Sequence, residues 1–438
     1  MQKEELYGRR VLINQALPAP FGLTGEKTMD ERGRCVTCRR CNARLIKERV
    51  RLPSGTYYCP VCLNLGRVTS HDRFYHLAEP NQFTPPTNPC TWQGQLSPLQ
   101  ERVANEVAVG MAAHQHRLLW AVTGAGKTEM IFPALTGALK RGERVAVASP
   151  RVDVCLELYP RLQAAFSGVP IALLHGKNPA PYQYRQLTIC TTHQLLRFYH
   201  AFDNLVIDEV DAFPFAGDPA LLFAAHQAIK EGGGLLFLTA TPSKELLQQV
   251  HQKKLAVSYL PQRFHGHPLP QIQTVLVGKW RAKLTKGKLP NAVSAWLKQR
   301  VTKGQEFLLF LPHVADLAPV ARALKENLGA VKFMTVHASD PQRLQKVQAM
   351  REHQLSFLVT TTILERGVTF PGIDVGVLGA DEEVFSTAAL VQIAGRVGRS
   401  KERPGGAVTF WVQENSRRIE EAKQQIKSMN RRARGVSK

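Results

Sequence analysis

The sequence lacks the features that would assign it to a membrane-spanning or a secreted class of protein. No apolar run approaches the roughly 20 residues that a transmembrane helix needs. The first ten residues, MQKEELYGRR, have no apolar core of the kind that signal peptides carry. We therefore expect a cytoplasmic protein, which could reach the inner face of the membrane only through protein partners.

Acidic residues are scarce and the charge is unevenly distributed. Against 57 Lys and Arg there are 35 Asp and Glu, so the formal net charge is +22. Residues 244–303 alone carry twelve basic side chains and one acidic one. An excess of this size indicates a polyanionic partner, with nucleic acid ahead of a membrane surface. Charge alone does not separate DNA from RNA.

The hydrophobic pattern divides the chain into a short N-terminal part and two larger α/β lobes. From about residue 96, short apolar runs such as VAVAS (145–149) alternate with helix-length amphipathic stretches, which is typical of a parallel sheet covered on both faces. A second series begins with FLLFL (307–311). The predicted domains are an N-terminal segment (1–30), a four-cysteine zinc ribbon (31–70), a linker (71–95), a first lobe (96–260) and a second lobe with a basic tail (261–438).

The segment AVTGAGKT (121–128) has the residues of a phosphate-binding loop. Two glycines let the backbone curl so that its N–H groups face a phosphate at the start of a helix. Lys127 would reach the β- and γ-phosphates, and Thr128 would ligate magnesium. Ala121 stands where the usual pattern begins with glycine. The predicted nucleotide-binding residues of this loop are Gly124, Ala125, Gly126, Lys127 and Thr128.

Two further segments follow in the order that such an ATPase requires. NLVIDEVD (204–211) ends an apolar run in carboxylates, of which Asp208 would hold magnesium and Glu209 would polarise the attacking water. TATP (239–242) would place the hydroxyls of Thr239 and Thr241 near these carboxylates, where they could couple hydrolysis to movement.

The second lobe contributes two motifs. In QIAGRVGR (392–399), spacings of four and three predict that Gln392, Arg396 and Arg399 share one face of a helix. Arginines presented to a transferring γ-phosphate are worth roughly 10³–10⁵ in rate. In TTTILERGVTF (360–370), Thr361 and Gly367 are candidate contacts to phosphate or nucleic acid.

The cysteine spacing predicts a structural zinc site. Cys38 and Cys41 form one CxxC pair, and Cys59 and Cys62 form a second after seventeen residues, as in zinc ribbons. Cys35 is then spare or an alternative ligand. The basic and aromatic residues around these pairs could contact a nucleic-acid strand, or could form the solvated outside of a ribbon that docks on protein. Both readings stay open.

The order of the motifs resembles that of superfamily-two helicases, in which two RecA-like lobes bind ATP between them. AVTGAGKTEM, DEVDAFPF and TTTILERGVTFP are similar to the replication-restart helicases and to the late competence ATPases. The latter carry a four-cysteine segment before the first lobe, as this chain does. The resemblance implies an α/β fold of two RecA-like lobes preceded by a small zinc ribbon.

The resemblance also implies an activity, ligands and partners. It implies an ATPase that uses ATP and Mg²⁺, contains Zn²⁺, is stimulated by single-stranded DNA and helps to import transforming DNA. Its partners would be the competence uptake channel, ComFC and DprA. By position, Gln100 would contact the nucleotide, and Arg151 and Thr192 would contact the nucleic-acid strand.

Two alternatives remain beside this reading. One is a replication-restart helicase with the same chemistry in another pathway. A large N-terminal DNA-end-binding domain would favour this alternative, and the residues before the first lobe leave little room for one. The other is a zinc-anchored nucleic-acid scaffold without turnover. The presence of both the lysine and the carboxylates of an ATP site argues against the scaffold.

Overall fold

The structure is a computed structural model, and it describes residues 1–176, 181–366 and 368–436. The chain forms two compact units. The first comprises Met1–Trp120 and Lys127–Tyr259, and the second comprises Ala121–Gly126 and Leu260–Lys438. The first unit therefore contains the N-terminal segment, the ribbon, the linker and most of the first lobe together. The domain boundaries drawn from the sequence stay predictions.

Two small antiparallel sheets precede the first lobe. One has the order β1-β6-β2 and the other β3-β4-β5. The stretch predicted as a linker thus supplies the central strand of the first of these sheets. The elements are β1 (Val11–Asn14), β2 (Glu26–Lys27), β3 (Met29–Arg32), β4 (Cys35–Cys38), β5 (Arg44–Ile46), α1 (Lys47–Val50) and β6 (Asp72–Tyr75).

The first lobe is built on a seven-stranded sheet of order β13-β7-β12-β11-β8-β10-β9. Its strands are β7 (Arg117–Ala121), β8 (Val145–Ser149), β9 (Ile171–Leu174), β10 (Leu187–Thr191), β11 (Phe202–Asp208), β12 (Ile229–Thr239) and β13 (Ala256–Leu260). Its helices are α2 (Pro98–Ala112), α3 (Lys127–Met130), α4 (Phe132–Lys140), α5 (Val152–Ala165), α6 (Pro219–Ala228) and α7 (Lys244–His251). Strands β7 to β12 pair in parallel. β8 and β10 are buried at every position, because helices cover both faces of such a sheet.

The second unit is built on a six-stranded parallel sheet of order β14-β19-β18-β15-β17-β16. Its strands are β14 (Ile272–Leu276), β15 (Phe307–Phe310), β16 (Phe333–Val336), β17 (Phe357–Thr360), β18 (Asp374–Leu378) and β19 (Val408–Val412). Its helices are α8 (Trp280–Leu284), α9 (Asn291–Thr302), α10 (Val314–Leu328), α11 (Arg343–Arg351), α12 (Thr387–Ala394) and α13 (Arg417–Val436). The core of this unit is rich in aromatic residues, with the Phe307 and Phe333 rings stacked on that of Phe357.

The ribbon and the first lobe share one core. Val36 and Val68 of the ribbon belong to the same cluster of buried side chains as Leu118 and Phe202 of the seven-stranded sheet. The fold class expected from the sequence is confirmed: two parallel-sheet α/β lobes follow a small four-cysteine domain. In the part of the chain that the structure describes, no helix combines the length and apolarity needed to span a membrane.

Candidate nucleotide and metal sites

The phosphate-binding loop connects β7 to α3. Gly124 and Gly126 have φ values of +76° and +74°, a region that side chains disfavour, which explains why this turn needs glycine. Ala121 is the fully buried last residue of β7. Its methyl group is accommodated in the strand, so the departure from the usual glycine does not disturb the turn. Thr128, 9% exposed, lies in the first turn of α3.

Lys127 lies beside the carboxylates at the end of β11. Its Nζ is 3.2 Å from Asp208 Oδ1, and the two side chains are 20% and 13% exposed. Burial lowers the pKa of Lys127, but the negative charges of Asp208, Glu209 and Asp211 outweigh burial and raise it overall. The lysine is therefore a cation at neutral pH, as phosphate binding requires.

Glu209 follows Asp208 in a left-handed backbone conformation. Its φ is +53°, and its N–H donates to Asp208 Oδ1 at 2.9 Å. A non-glycine residue in this region costs free energy, and such positions cluster at functional sites. The conformation turns the chain directly after the strand and holds two consecutive carboxylates at its end.

Asp211 is the residue that ties the TATP segment to this carboxylate group. Thr239 Oγ1 donates to Asp211 Oδ1 at 2.6 Å, and Thr241 Oγ1 donates to the other oxygen, Oδ2. The Thr241 N–H in turn donates to Thr239 Oγ1 at 2.9 Å. The hydroxyls thus lie near the carboxylates, as the sequence predicted, but sequence reasoning gave Asp211 no role. The signal available was its place in DEVD, three residues after Asp208.

The second-lobe arginines do not lie on the predicted helix. α12 contains Gln392, which is 6% exposed, but ends at Ala394. The prediction that one helical face carries Gln392, Arg396 and Arg399 is wrong, because Gly395 caps the helix and Gly398, with φ of +72°, turns the chain again.

Both arginines are held by backbone carbonyls within the second unit. Arg396 is 1% exposed, and its Nε donates to the Glu365 carbonyl at 3.0 Å. Arg399 Nε donates to the Gly395 carbonyl at 3.1 Å. Their action on a γ-phosphate stays a prediction.

The predicted nucleic-acid contacts differ in accessibility. Thr192 is fully buried and Thr361 is 8% exposed, so the Thr192 side chain cannot touch a strand in this conformation. Arg151 is paired with Asp153 at 2.8 Å. Gly367 lies outside the described residues.

Gln100, the predicted nucleotide contact, takes part in a capping box at the start of α2. Its side-chain oxygen accepts from the Ser97 N–H at 2.8 Å, and its own N–H donates to Ser97 Oγ at 3.3 Å. Gln100 is 6% exposed, and its side chain stabilises the start of α2, a role that the sequence did not predict.

Four cysteines form a metal-binding cluster. The Sγ atoms of Cys38, Cys41, Cys59 and Cys62 all lie within 4.8 Å of one another, and all four residues are buried. The Cys38–Cys62 and Cys41–Cys59 Sγ distances are 3.9 and 3.5 Å. Zinc–sulfur bonds of about 2.3 Å in a tetrahedron separate sulfurs by about 3.8 Å, so the cluster fits Zn²⁺. Cys35 is outside this cluster.

Comparisons with known proteins agree with this architecture. The DEAD/DEAH box helicase family matches residues 97–251, and the helicase conserved C-terminal domain matches residues 288–401. The competence protein ComFA of Bacillus subtilis (strain 168) is 41% identical over 399 residues, covering 91% of this chain and 86% of that protein. ComFA of Streptococcus pneumoniae (strain R6) is 41% identical over 396 residues, 90% of each chain.

A solved structure shows the same fold at low identity. Dbp5 of S. cerevisiae bound to RNA and ADP BeF3 superimposes with a TM-score of 0.56, covering 78% of this chain and 94% of that one at 16% identity. At that identity the likeness concerns the fold alone.

Fold and site together define an ATP-hydrolysing enzyme of the DNA helicase type. ATP is its nucleotide, Mg²⁺ is the usual ion of such domains, and the four-cysteine cluster is compatible with zinc. With 41% identity over nine-tenths of its length, the chain belongs to the ComFA family of competence proteins.

Proposed function

We propose that this protein is an ATP-driven motor that moves on single-stranded DNA and helps to import transforming DNA during natural competence. The observation that carries the proposal is the contact of Lys127 with Asp208 in a chain that aligns with ComFA over nine-tenths of its length. A scaffold that had lost ATP turnover would have no need for a lysine and three carboxylates in one group.

The residues divide into roles by their chemistry. Lys127 and the glycines of its loop would bind the β- and γ-phosphates, and Thr128 and Asp208 would hold Mg²⁺. The ion would neutralise developing charge on the phosphates. Glu209 would orient the attacking water and accept its proton. Arg396 and Arg399 would stabilise the charge that develops on the transferring phosphoryl group.

The pair of threonines on Asp211 offers a route from hydrolysis to movement. Both hydroxyls are buried and donate to the two oxygens of one carboxylate. A shift of the Asp208–Asp211 turn upon phosphate release would pull on the segment after β12 through these bonds. We propose that Thr239 and Thr241 couple the two events in this way.

Steady-state ATP hydrolysis tests the proposal. We expect turnover by the zinc-loaded protein to rise strongly with single-stranded DNA, and less with duplex DNA or RNA. The Lys127→Ala variant should lose turnover by at least about 100-fold, because the loss of a charge-assisted phosphate contact costs several kcal/mol in the transition state, while it still binds DNA. Equal turnover with and without every nucleic acid would contradict the motor.

Interaction with the uptake channel, ComFC and DprA is part of the same proposal. Its support is the family membership of the chain. Co-purification of each partner with the Lys127→Ala protein would test it without depending on turnover.

A further inference from the structure

A small basic cavity lies in the first unit, where the N-terminal segment, the ribbon and the first lobe meet. Its volume is about 190 Å³. The polar side chains that line it are Arg9, Asn64, His175, Tyr182, Gln194 and Arg197. No carboxylate is among the described lining residues.

Backbone pairing fixes the two arginines of this cavity. Arg9 forms an antiparallel bridge with Phe198, the Arg10 N–H donates to the Arg197 carbonyl at 3.0 Å, and the Tyr199 N–H donates to the Gly8 carbonyl at 2.9 Å. A Cβ on Gly8 would lie 2.7 Å from Ala201 Cα, and φ there is +62°. Glycine therefore permits the close approach that brings Arg9 and Arg197 into one site.

The cavity brings together two arginines, and among the described residues neither of them forms an ion pair with a carboxylate. The Arg9 guanidinium lies 3.7 Å from the centre of the Tyr182 ring. Burial lowers the pKa of Arg9, and the charges of Arg197 and Arg144 lower it further against the raising effects of Tyr182 and Glu5. Burial and the charge of Arg40 lower the pKa of Arg197. An arginine side chain is effectively always protonated in proteins, so both groups remain cations at neutral pH.

Two polar atoms at this cavity lack a partner in the described part of the chain. Arg197 Nε and His175 Nδ1 are buried without a hydrogen bond. A buried nitrogen without a partner costs free energy unless a ligand satisfies it. Arg144, which donates to the hydroxyl of Tyr182, is by contrast paired with Glu79 at 2.5 Å and also donates to the Tyr7 carbonyl at 3.2 Å.

We propose that this cavity binds a backbone phosphate of the nucleic-acid strand, so that the ribbon and the N-terminal segment form part of the strand path. Guanidinium groups match phosphate oxygens, and a phosphate supplies the negative charge that the cavity lacks. Tyr182 and Leu65 offer apolar surface to the adjoining sugar or base. The proposal deepens the proposed function and rests on it.

Binding of a labelled oligo(dT) to the full zinc-loaded chain tests the proposal. Arg197→Gln should weaken binding about tenfold, and the slope of log K against log salt should become shallower by about 0.7, the value for one phosphate contact on a single strand. The exposed Arg102 on α2 supplies the matched control, because Arg102→Gln removes the same charge away from the cavity. Arg197→Lys should retain most of the affinity.

Thermal unfolding without DNA separates a ligand contact from a structural one. Because Arg197 is partly desolvated beside other cations, Arg197→Gln should unfold at the same temperature as the parent protein or higher, with its zinc retained. A lower unfolding temperature in step with the loss of DNA binding would overturn the proposal. Unchanged affinity and an unchanged salt slope would overturn it too, while ATP hydrolysis stimulated by DNA would leave the proposed function standing.

Inorganic phosphate distinguishes the source of the anion. If phosphate raises the unfolding temperature of the parent protein but not of Arg197→Gln, while both bind oligo(dT) equally, the cavity serves a small anion and the strand proposal is wrong. If the parent protein binds no single-stranded DNA at all, it is the proposed function that fails.

Discussion

Glu209 combines a catalytic assignment with an unfavourable backbone conformation. A left-handed non-glycine residue costs about 1–2 kcal/mol, and the fold holds Glu209 there, with φ of +53°. The turn is stabilised by the bond from its own N–H to Asp208 Oδ1. The unfavourable conformation thus falls on the residue that we propose acts in hydrolysis.

The Glu209→Gly variant separates the cost of the backbone conformation from the function of the carboxylate. Glycine relieves the strain but gains entropy in the unfolded chain, so its unfolding free energy should change by less than about 1 kcal/mol. ATP turnover should fall by at least about 100-fold, because the group that we propose accepts the proton of the attacking water is gone. Glu209→Gln serves as the comparison: it should lose turnover equally and keep the strain. Near-normal turnover in either variant would remove Glu209 from the mechanism.

At the residue scale, the sequence motifs predicted the contacts that depend on a few neighbouring residues, and missed those that depend on the order of the strands. The contact between Lys127 and Asp208 was predictable, because GAGKT and NLVIDEVD supply the lysine and the carboxylate of a phosphate site in the expected order. Their roles in hydrolysis stay predictions. Asp211 as the partner of Thr239 was not identifiable, because that contact depends on β11 and β12 being neighbours. The arginines of QIAGRVGR were misplaced because helical spacing was extended across Gly395, which ends α12.

In the zinc ribbon, the sequence did not decide whether Cys35 is a spare cysteine or an alternative metal ligand. The cluster contains Cys38, Cys41, Cys59 and Cys62, whereas Cys35 is partly exposed at the start of β4. The ribbon also shares its core with the first lobe. Loss of the metal should therefore destabilise the first lobe as well as the ribbon.

Replacing a single cysteine tests both points. Cys38→Ala should lose zinc and lower the unfolding temperature of the whole first unit, because metal binding supplies folding free energy to small domains. Cys35→Ala should keep one zinc per chain and unfold like the parent protein. Metal analysis measures the zinc content of each variant, and calorimetry measures its unfolding temperature. A full metal content in Cys38→Ala would exclude the ligand set given above.

His116 lies directly before β7, and its environment predicts that stability depends on pH. Its Nδ1 accepts from the Leu235 N–H at 3.2 Å, and burial lowers its pKa from the ordinary 6.5. Burial and the nearby His116 also lower the pKa of His226. Nothing in the sequence AHQHR reveals that β12 approaches His116, so this contact could not be predicted from the sequence.

The sign of the effect follows from proton binding. Above pH 6.5 both the folded and the unfolded chain carry neutral imidazoles, so these groups do not affect stability. As pH falls below 6.5 the unfolded chain binds protons that the folded chain does not, so stability decreases down to the lowered pKa. The unfolding temperature should drop between pH 7.5 and 5.5, and drop less in His116→Gln, whose amide oxygen can still accept the bond. Identical pH profiles would refute this role.

For the molecule as a whole, the net charge of +22 makes a prediction about salt. Each phosphate contacted on a single strand contributes about −0.7 to the slope of log K against log salt, because bound counterions are released. The logarithm of the affinity for oligo(dT) should fall steeply and linearly on that plot between about 50 and 200 mM salt. Mixed-sequence DNA should give the same slope if contacts are to the backbone. An affinity that does not change with salt would mean that the net positive charge does not act by contacting DNA phosphates.

The architecture was largely predictable at this scale, and its details were not. Apolar runs alternating with helix-length stretches predict two parallel α/β lobes, because only that arrangement buries such strands on both faces. The N-terminal residues gave no such pattern. β1 and β6 are too short for a period to show, and they are held together by pairing between residues far apart in sequence, such as Leu12 with Phe74.

The docking of residues 7–10 on residues 197–201 has a consequence for biosynthesis. The Gly8 carbonyl can accept from the Tyr199 N–H only after Tyr199 has left the ribosome. The Tyr7 carbonyl can likewise accept from the Arg144 guanidinium only after Arg144 has been made. At roughly 5–20 residues per second, the bond between Gly8 and Tyr199 cannot form until about 10 to 40 s after Gly8 is made, although β1 can pair with β6 well before that. The ribbon hairpins, whose partners are close in sequence, can load metal within that time. The docking of residues 7–10 on the first lobe is therefore a late step of synthesis, and until it forms, chaperones or proteases have access to the side of these residues that later faces residues 197–201.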